Sequence, residues 1–306
     1  MKIAFRPKLL DCLPGYSRAQ LGKDVAAGIT VGVLALPLAM AFAIASGCSP
    51  TAGIWTAIVA GFLTAALGGS RVQIGGPTGA FIPIIYGIVA MHGFANLLGA
   101  TMLAGVFLLA MGLARMGQLI RFIPVTVVIG FTNGIAVVIF LAQIKDFFGL
   151  QIDNLPAEFF HRVKTLAAHA HTVDLPTLGL ASACFVFLLS YNQLAQKIAI
   201  LRRAPGPLAV LIVGTLVAWL FELPVETIGS RFNGIPQELP AFGLPDLSIH
   251  DLGKLISPAI TIALLGAIES LLSARVADSQ IDDRHDPNQE LIAQGLSNIA
   301  APFFGG

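Results

Sequence analysis

One carboxylate inside a long apolar stretch is the group best placed to do chemistry in this sequence. Glu269 lies in the segment ITIALLGAIESLLS, in which every other residue is uncharged. A charged side chain at the centre of a bilayer costs about 3 kcal/mol on insertion scales, so it persists only when it faces a cavity, is protonated or is paired. Ser273 follows one helical turn later on the same face. The pair predicts a pocket for a coupling proton, a cation or a substrate. The alternative is a hydrogen bond between buried helices with no ligand.

A segment rich in glycine and proline offers a second kind of chemistry, the binding of an anion. Residues 71–81 read RVQIGGPTGAF, in which two glycines follow residues that favour an extended strand, and Pro77 suits the first position of a helix. The chain is predicted to enter the membrane extended and to begin a short helix, the half-helix, at Pro77. A helix start exposes free N–H groups and the positive end of its dipole. Thr78 adds a hydroxyl donor, and Gly79 and Ala80 leave room for a ligand. A plain re-entrant turn is the alternative.

Side chains suited to other chemistries are scattered along the chain. Cys12, Cys48 and Cys184 are far apart and lack the spacing of metal ligands, so they are read as packing residues. The 6 histidines lie in loops or at the end of an apolar stretch, where none could serve as the base of an intramembrane nucleophile. We therefore predict that the protein is not an enzyme and holds no metal or cofactor beyond a coupling proton or sodium ion.

The composition places both features in a membrane. Apolar residues make up 56% of the chain and charged residues 11%, against about 25% charged residues in soluble domains. Stretches free of Asp, Glu, Lys and Arg cover 25–70, 72–114, 122–144, 175–196 and 204–221. A membrane crossing takes about 20 apolar residues, so the second stretch alone allows two. The net charge is +1 without a basic tract, which argues against nucleic acid as a partner and leaves the lipid bilayer as the expected surrounding.

Turn residues and charges divide the apolar stretches into predicted membrane spans. About nine are expected, at 25–46, 51–69, 77–92, 96–114, 122–144, 175–192, 205–222, 255–275 and 290–304. Segment 1–24 is predicted to be cytoplasmic, and 25–306 to form one transmembrane transport domain. No small-residue cleavage site follows a short apolar stretch, so the first span is predicted to be retained.

The distribution of basic residues orients these spans. If the N-terminus is cytoplasmic and the loops alternate, 13 of the 18 Lys and Arg residues lie on the inner side, as the positive-inside rule requires. A group of acidic residues before the last span lies on that side too and is predicted to be a solvated loop: Asp278, Asp282, Asp283, Asp286 and Glu290. The expected location is a bacterial inner membrane, with the N-terminus in the cytoplasm.

Five motifs, in their order along the chain, resemble the SulP family, the sulfate permeases and bicarbonate transporters related to prestin. They are ALPLAMAFA at 35–43, GPTGA at 76–80, the segment 124–136, IESLLSARVADS at 268–279, and QGLSNI followed by FFGG within 294–306. The resemblance runs over essentially the whole chain, and the combination of motifs is specific.

The resemblance implies an all-α membrane protein with the seven-plus-seven inverted-repeat fold. This chain would hold the first seven-span repeat, with its half-helix at span three, and the start of the second repeat. The family binds its anion between the N-termini of short helices three and ten, beside spans one and eight. Carried onto this sequence, Glu269 is the coupling residue, and the substrate-binding residues are Phe42, Thr78, Gly79, Ala80 and Ser273. The implied function is secondary active transport of a small inorganic anion, sulfate first, by alternating access with proton or sodium coupling.

Two departures from the family pattern leave alternatives open. Leu38 stands where many relatives carry a polar residue, often Gln, so bicarbonate and dicarboxylates remain alternatives to sulfate. The chain ends at Gly306, before span ten and the STAS domain that usually follows, and is therefore expected to be an N-terminal fragment. A homodimer of the full-length protein is left open. The other interpretations are a nucleobase permease of the same architecture, against which the GPTG segment argues, and an anion sensor that does not transport.

Overall fold

A computed structural model describes residues 5–118, 125–152, 155–156, 158–197, 206–232, 234, 241–245 and 252–306. Every regular element in these ranges is helical. In chain order the α-helices are α1 (Leu9–Cys12), α2 (Arg18–Ala45), α3 (Pro50–Leu67), α4 (Ile82–Leu113), α5 (Val125–Phe148), α6 (Phe159–Ala168), α7 (Leu175–Lys197), α8 (Gly206–Leu220), α9 (Ile228–Phe232), α10 (Leu252–Ile281) and α11 (Pro287–Ala300). Short 3-10 turns cover Gly79–Phe81, Ala170–Thr172 and Ala301–Phe304.

The chain divides into two compact units, residues 1–133 with 236–306, and residues 134–235. The first unit contains every predicted site residue and is organised around α4, which packs against α10 and α11. α3 packs against both α2 and α11. The core where α4, α10 and α11 meet includes four leucines that are at most 1% exposed: Leu108, Leu255, Leu271 and Leu291.

Glycines allow α4 and α11 to approach backbone to backbone. A Cβ atom on Gly105 would lie 2.7 Å from the carbonyl oxygen of Gly295, and one on Gly295 would lie 2.6 Å from the backbone nitrogen of Leu109. A Cβ atom on Gly112 would lie 2.7 Å from the side chain of Ile292. Small residues at such contacts are how membrane helices gain close packing. The α4–α11 contact therefore requires glycine at these positions.

The second unit contains the end of α5 and helices α6 to α9. α7 packs against α8, and Leu150, Ile152 and Leu166 form a small apolar cluster. Asp174 caps the start of α7 by accepting hydrogen bonds from the hydroxyl and the N–H of Thr177, at 2.5 Å and 3.0 Å. The Thr177 hydroxyl and then its N–H stabilise the ionised carboxylate and lower the pKa of Asp174.

Most predicted spans coincide with apolar helices. Among the described residues, four helices are long and apolar enough to cross a membrane, at Arg18–Ala45, Pro50–Leu67, Gly79–Leu113 and Gly253–Ile281. Shorter apolar helices cover Leu175–Tyr191 and Gly206–Leu220. Residues 122–124 and 205, at the starts of the fifth and seventh predicted spans, lie outside the described residues.

Two helix starts differ from the sequence prediction. α2 begins at Arg18, before the predicted start at 25, because Ser17 and Gln20 form a reciprocal capping box. The half-helix does not begin at Pro77: its first turn is Gly79–Phe81, and Thr78 is the residue that caps it. Pro77 suits an extended position as well as a helical one, and the neighbouring threonine decides where the helix begins. The third and fourth predicted spans agree with the structure, because α4 consists of two helices that meet at a kink at Gly93, where φ is 80° and ψ is 169°.

Candidate functional site

The half-helix is preceded by an extended segment that α3 holds in place. Gly75 lies directly on the side chain of Thr64, so that a Cβ atom on Gly75 would overlap the Thr64 hydroxyl. Thr64 is 1% exposed, and its Oγ1 lies 2.9 Å from Oγ of Ser297 on α11. Gly76 has a φ of 147°, in the region that favours glycine. The two glycines therefore let the chain pass against α3 and reach the half-helix.

Thr78 joins the start of the half-helix to α10. Its hydroxyl donates a hydrogen bond to Oε1 of Glu269 at 2.6 Å and lies 3.5 Å from the N–H of Ala80, which it caps. The Phe81 ring lies 3.7 Å from where a Cβ atom on Gly266 would be, one turn before Glu269. The two features found separately in the sequence, the intramembrane carboxylate and the half-helix, thus lie in direct contact.

Glu269 has one oxygen with a partner and one without. Oε1 accepts the Thr78 hydroxyl, whereas Oε2 is buried and has no hydrogen-bond partner among the described residues. Leaving a buried carboxylate oxygen unpaired is costly, and a proton or a small cation on that oxygen removes the cost. The geometry therefore suits a carboxylate that exchanges a proton or a cation.

Ser273 contacts a residue that the sequence analysis did not place in the site. Its hydroxyl donates to Oε1 of Gln73, in the extended segment, at 3.2 Å. Gln73 was read only as a residue that favours extended backbone. The sequence did contain an indication of this contact, because Gln73 is the only residue between Arg71 and the glycines whose side chain can form hydrogen bonds.

The remaining predicted site residues lie on the same unit. Gly79 is buried in the first turn of the half-helix, and Ala80 follows it half-buried. Phe42 is half-buried on α2, a helix that packs against α3. The Thr78 side chain thus contacts both Glu269 and the N–H of Ala80, and the roles of all the predicted site residues stay predictions.

The prediction that Glu290 belongs to a solvated acidic loop is wrong. Glu290 lies in the first turn of α11 and is 0% exposed. Its Oε2 accepts the N–H of Gly69 at 3.0 Å, and its Oε1 accepts the Ser270 hydroxyl at 3.1 Å and the Gln294 amide at 3.4 Å. Both oxygens are therefore satisfied. Glu290 therefore connects α11 to Gly69 at the end of α3 and to Ser270, the residue next to Glu269.

Of the other acidic residues of that segment, Asp282 and Asp286 are exposed, and the half-buried Asp283 contacts the N-terminal segment. Asp283 Oδ1 accepts a hydrogen bond from Nζ of Lys8 at 3.1 Å, and its Oδ2 lies 3.8 Å from Nε of Arg71. Partial burial acts to raise the pKa of Asp283, but the Arg284 N–H and the neighbouring Lys8 and Arg71 outweigh it, so the pKa is lowered. Lys8 and Arg71 also line a surface cavity of about 300 Å³.

Comparison with known proteins identifies the architecture. The structure matches the transmembrane domain of a cyanobacterium bicarbonate transporter, BicA, with a TM-score of 0.81 and 31% identity, over 94% of this chain and 72% of that one. It also matches murine Slc26a9, an anion transporter, with a TM-score of 0.81 at 18% identity, over 99% of this chain and 55% of that one, which supports the fold alone. The class is therefore an all-helical integral membrane protein with the seven-plus-seven inverted-repeat fold of these transporters.

The family follows from the sequence. The model of the sulfate permease family matches residues 21–306, and the chain belongs to that family. It is 44% identical over 293 residues to YvdB of Bacillus subtilis, covering 95% of this chain and 54% of that protein. The chain thus spans about half the length of the curated relatives it matches. The family and its members are transporters and not enzymes, as the sequence analysis predicted.

Proposed function

We propose that this chain forms part of a secondary active transporter of a small inorganic anion, with Glu269 as the group that binds the coupling ion. The observation that carries the proposal is the 2.6 Å hydrogen bond between Thr78, at the start of the half-helix, and Glu269. An anion held by the N–H groups and dipole of a helix start would lie beside this carboxylate.

The proximity of these groups explains how coupling would arise. Two unit negative charges 4 Å apart repel each other by about 4 kcal/mol at an effective dielectric constant of 20. An anion at the half-helix therefore binds well only when Glu269 is neutralised. A proton or a sodium ion on the unpaired Oε2 would neutralise it, so that the anion and the coupling ion bind together and are released together during alternating access.

Sulfate is the first substrate to test. The description of the family as sulfate permeases supports it, and the likeness to BicA supports bicarbonate as the second candidate. Leu38, which is 52% exposed on α2, puts an apolar side chain where many relatives carry a polar one, so it favours neither anion. Dicarboxylates are larger anions and are the third candidate substrate.

The location and partners extend the same proposal. We propose a bacterial inner membrane as the location. The Lys and Arg distribution supports an orientation with segment 1–24 in the cytoplasm. A homodimer of the full-length protein is part of the proposal and can be measured by mass in detergent or nanodiscs.

The proposal is tested by uptake into liposomes containing the full-length protein. Radiolabelled sulfate and bicarbonate are supplied with a dicarboxylate competitor at two pH values and two sodium concentrations. Wild type is expected to accumulate anion in response to a proton or a sodium gradient. Glu269→Gln keeps the size of the side chain but removes its charge, so the remaining uptake is expected to respond to neither gradient.

The matched control is Glu222→Gln, an exposed position outside the site. It makes the same chemical change and should leave both the rate and the gradient dependence of uptake at wild-type levels. If uptake by Glu269→Gln depends on the proton or sodium gradient as uptake by wild type does, another group couples transport.

A further inference from the structure

Gln73 and Ser273 form a polar pair next to the proposed site. Gln73 Oε1 accepts a hydrogen bond from the Ser273 hydroxyl at 3.2 Å, and Ser273 follows Glu269 by one helical turn. The neighbours of Gln73 in the extended segment, Val72 and Ile74, are 46% and 58% exposed. Gln73 is the half-buried residue between them. Its amide therefore lies on the side of the segment that meets α10.

The hydrogen bond from Ser273 leaves a particular part of the amide free. A glutamine amide has an acceptor oxygen and an NH₂ group with two donors. Ser273 occupies the oxygen, and no hydrogen bond engages the NH₂ group among the described residues. Ser273 thus holds Gln73 so that two donors remain for another partner, and donors are what an anion requires.

Gln73 also lies between the surface and the half-helix. Along the extended segment, Arg71 comes first, is 53% exposed at its side chain and lines the surface cavity of about 300 Å³. Gln73 follows with its Ser273 contact, and Thr78 comes last with its Glu269 contact. Hydrogen-bonding side chains therefore continue from the cavity to the proposed anion site along one segment and one face of α10.

We infer that Gln73 is a binding residue for oxyanions that enter or leave on the Arg71 side. Its NH₂ group donates to an oxygen of the passing anion, while Ser273 orients the amide. This inference rests on the proposed function, because it names a contact for the same anion. It concerns one side of the membrane only, since Gln73 lies between the site and the Arg71 cavity.

The test measures the KM for sulfate or bicarbonate from each side of proteoliposomes containing the full-length protein. The Arg71 side is identified with a membrane-impermeant maleimide on Cys12, which lines the same cavity. Gln73→Glu replaces the NH₂ group by a negatively charged acceptor. It is expected to raise the KM on the Arg71 side at least about tenfold and to change the KM on the other side less than about twofold.

Two further variants separate the contact from general effects. Ser273→Ala removes the group that orients the amide and is expected to raise the KM on the Arg71 side by about threefold. Gln20→Glu introduces the same charge at the wall of the same cavity, where the carboxylate can still accept the Ser17 N–H of the capping box. It is expected to change neither KM by more than about twofold.

Gln73→Leu provides a neutral variant of similar size if Gln73→Glu does not fold, and it should raise the same KM. An unchanged KM in a folded Gln73 variant, an equal rise on both sides, or an equal rise in Gln20→Glu would overturn the inference. If wild type takes up no anion, the proposed function is wrong and the inference falls with it. If wild type takes up anion and only the Gln73 effect is missing, the inference alone is wrong.

Discussion

At the scale of the residue, two carboxylates of the first unit differ in how their oxygens are satisfied. Glu290 is fully buried, and three donors satisfy both of its oxygens, as expected of a group that holds elements together. Glu269 has one donor on one oxygen and none on the other among the described residues. An incompletely satisfied buried carboxylate is costly to keep. Glu269 is therefore the one of the two that suits a mobile ligand.

Asp283 gives a prediction about pH. Because its pKa is lowered in the folded protein, its contacts with Lys8 and Arg71 stabilise the fold at pH values above the ordinary Asp pKa of about 3.9. This stabilisation is lost as the pH falls through the lower, folded pKa. Asp283→Asn should reduce the free energy of unfolding by less than about 1 kcal/mol at pH 7, since the ion pairs lie at the surface.

The measurement is the thermal midpoint in detergent as a function of pH, for wild type and Asp283→Asn. The difference between the two should be present at pH 7 and shrink as the solution is acidified below about pH 4. Asp282→Asn, at an exposed neighbouring position, serves as the control and should follow wild type throughout. A difference for Asp283→Asn that does not depend on pH would contradict the ion-pair account.

At the scale of the element, the site depends on where the half-helix begins and on what holds it there. The extended segment passes over Thr64 through Gly75, and the half-helix begins after Thr78. α4 continues from the half-helix and packs against α11, which contributes Ser297 to the Thr64 contact. The position of the half-helix is thus set by α3 and α11 as well as by its own sequence.

The α4–α11 contact predicts a loss of stability for Gly295→Ala. The added Cβ would lie 2.6 Å from the backbone nitrogen of Leu109, so the helices must separate. We expect a loss of about 1–3 kcal/mol in the free energy of unfolding, the usual cost of overpacking. Denaturant titration of the purified protein in detergent measures this loss.

Gly87→Ala is the matched control on α4, because a Cβ atom there meets no atom within 4 Å. That variant should be as stable as wild type or more stable by up to about 1 kcal/mol, since alanine favours a helix. Equal stability of the two variants would show that the helices are not in backbone contact at Gly295.

At the scale of the whole molecule, the topology predicted from Lys and Arg gives a labelling experiment. Cys12 should react with a membrane-impermeant maleimide from the cytoplasmic side only. Cys48 and Cys184 are replaced by alanine so that one thiol remains, although burial already raises the pKa of Cys48 to about 11 and makes it a poor nucleophile.

Phe160→Cys supplies the opposite marker in a background that also lacks Cys12. Phe160 is 78% exposed on α6, in a segment predicted to lie outside. That variant should react only from the outside. Labelling of both positions from one side would mean that the number of spans between them differs from the prediction.

The sequence alone determined the membrane class, most spans, the family and the two chemical groups of the site. The spans and the two chemical groups follow from local composition, because a span is a long apolar stretch and a lone glutamate or a glycine-proline pair is visible within one. The family follows from the resemblance of five motifs along the chain. The sequence could not distinguish Glu290 from a solvated acid, because its burial depends on Gly69 and Ser270, which are distant along the chain.

Only the tertiary structure decided which side chains meet. The contact of Thr78 with Glu269 joins residues 191 positions apart, and that of Gln73 with Ser273 joins residues 200 apart. Such pairs depend on how α4, α10 and α11 pack, and that packing depends on glycines whose necessity appears only when another backbone lies against them. Hydropathy measures the transfer of each segment into lipid and contains no term for these contacts, so the contact of Gln73 with Ser273 was found only in the folded protein.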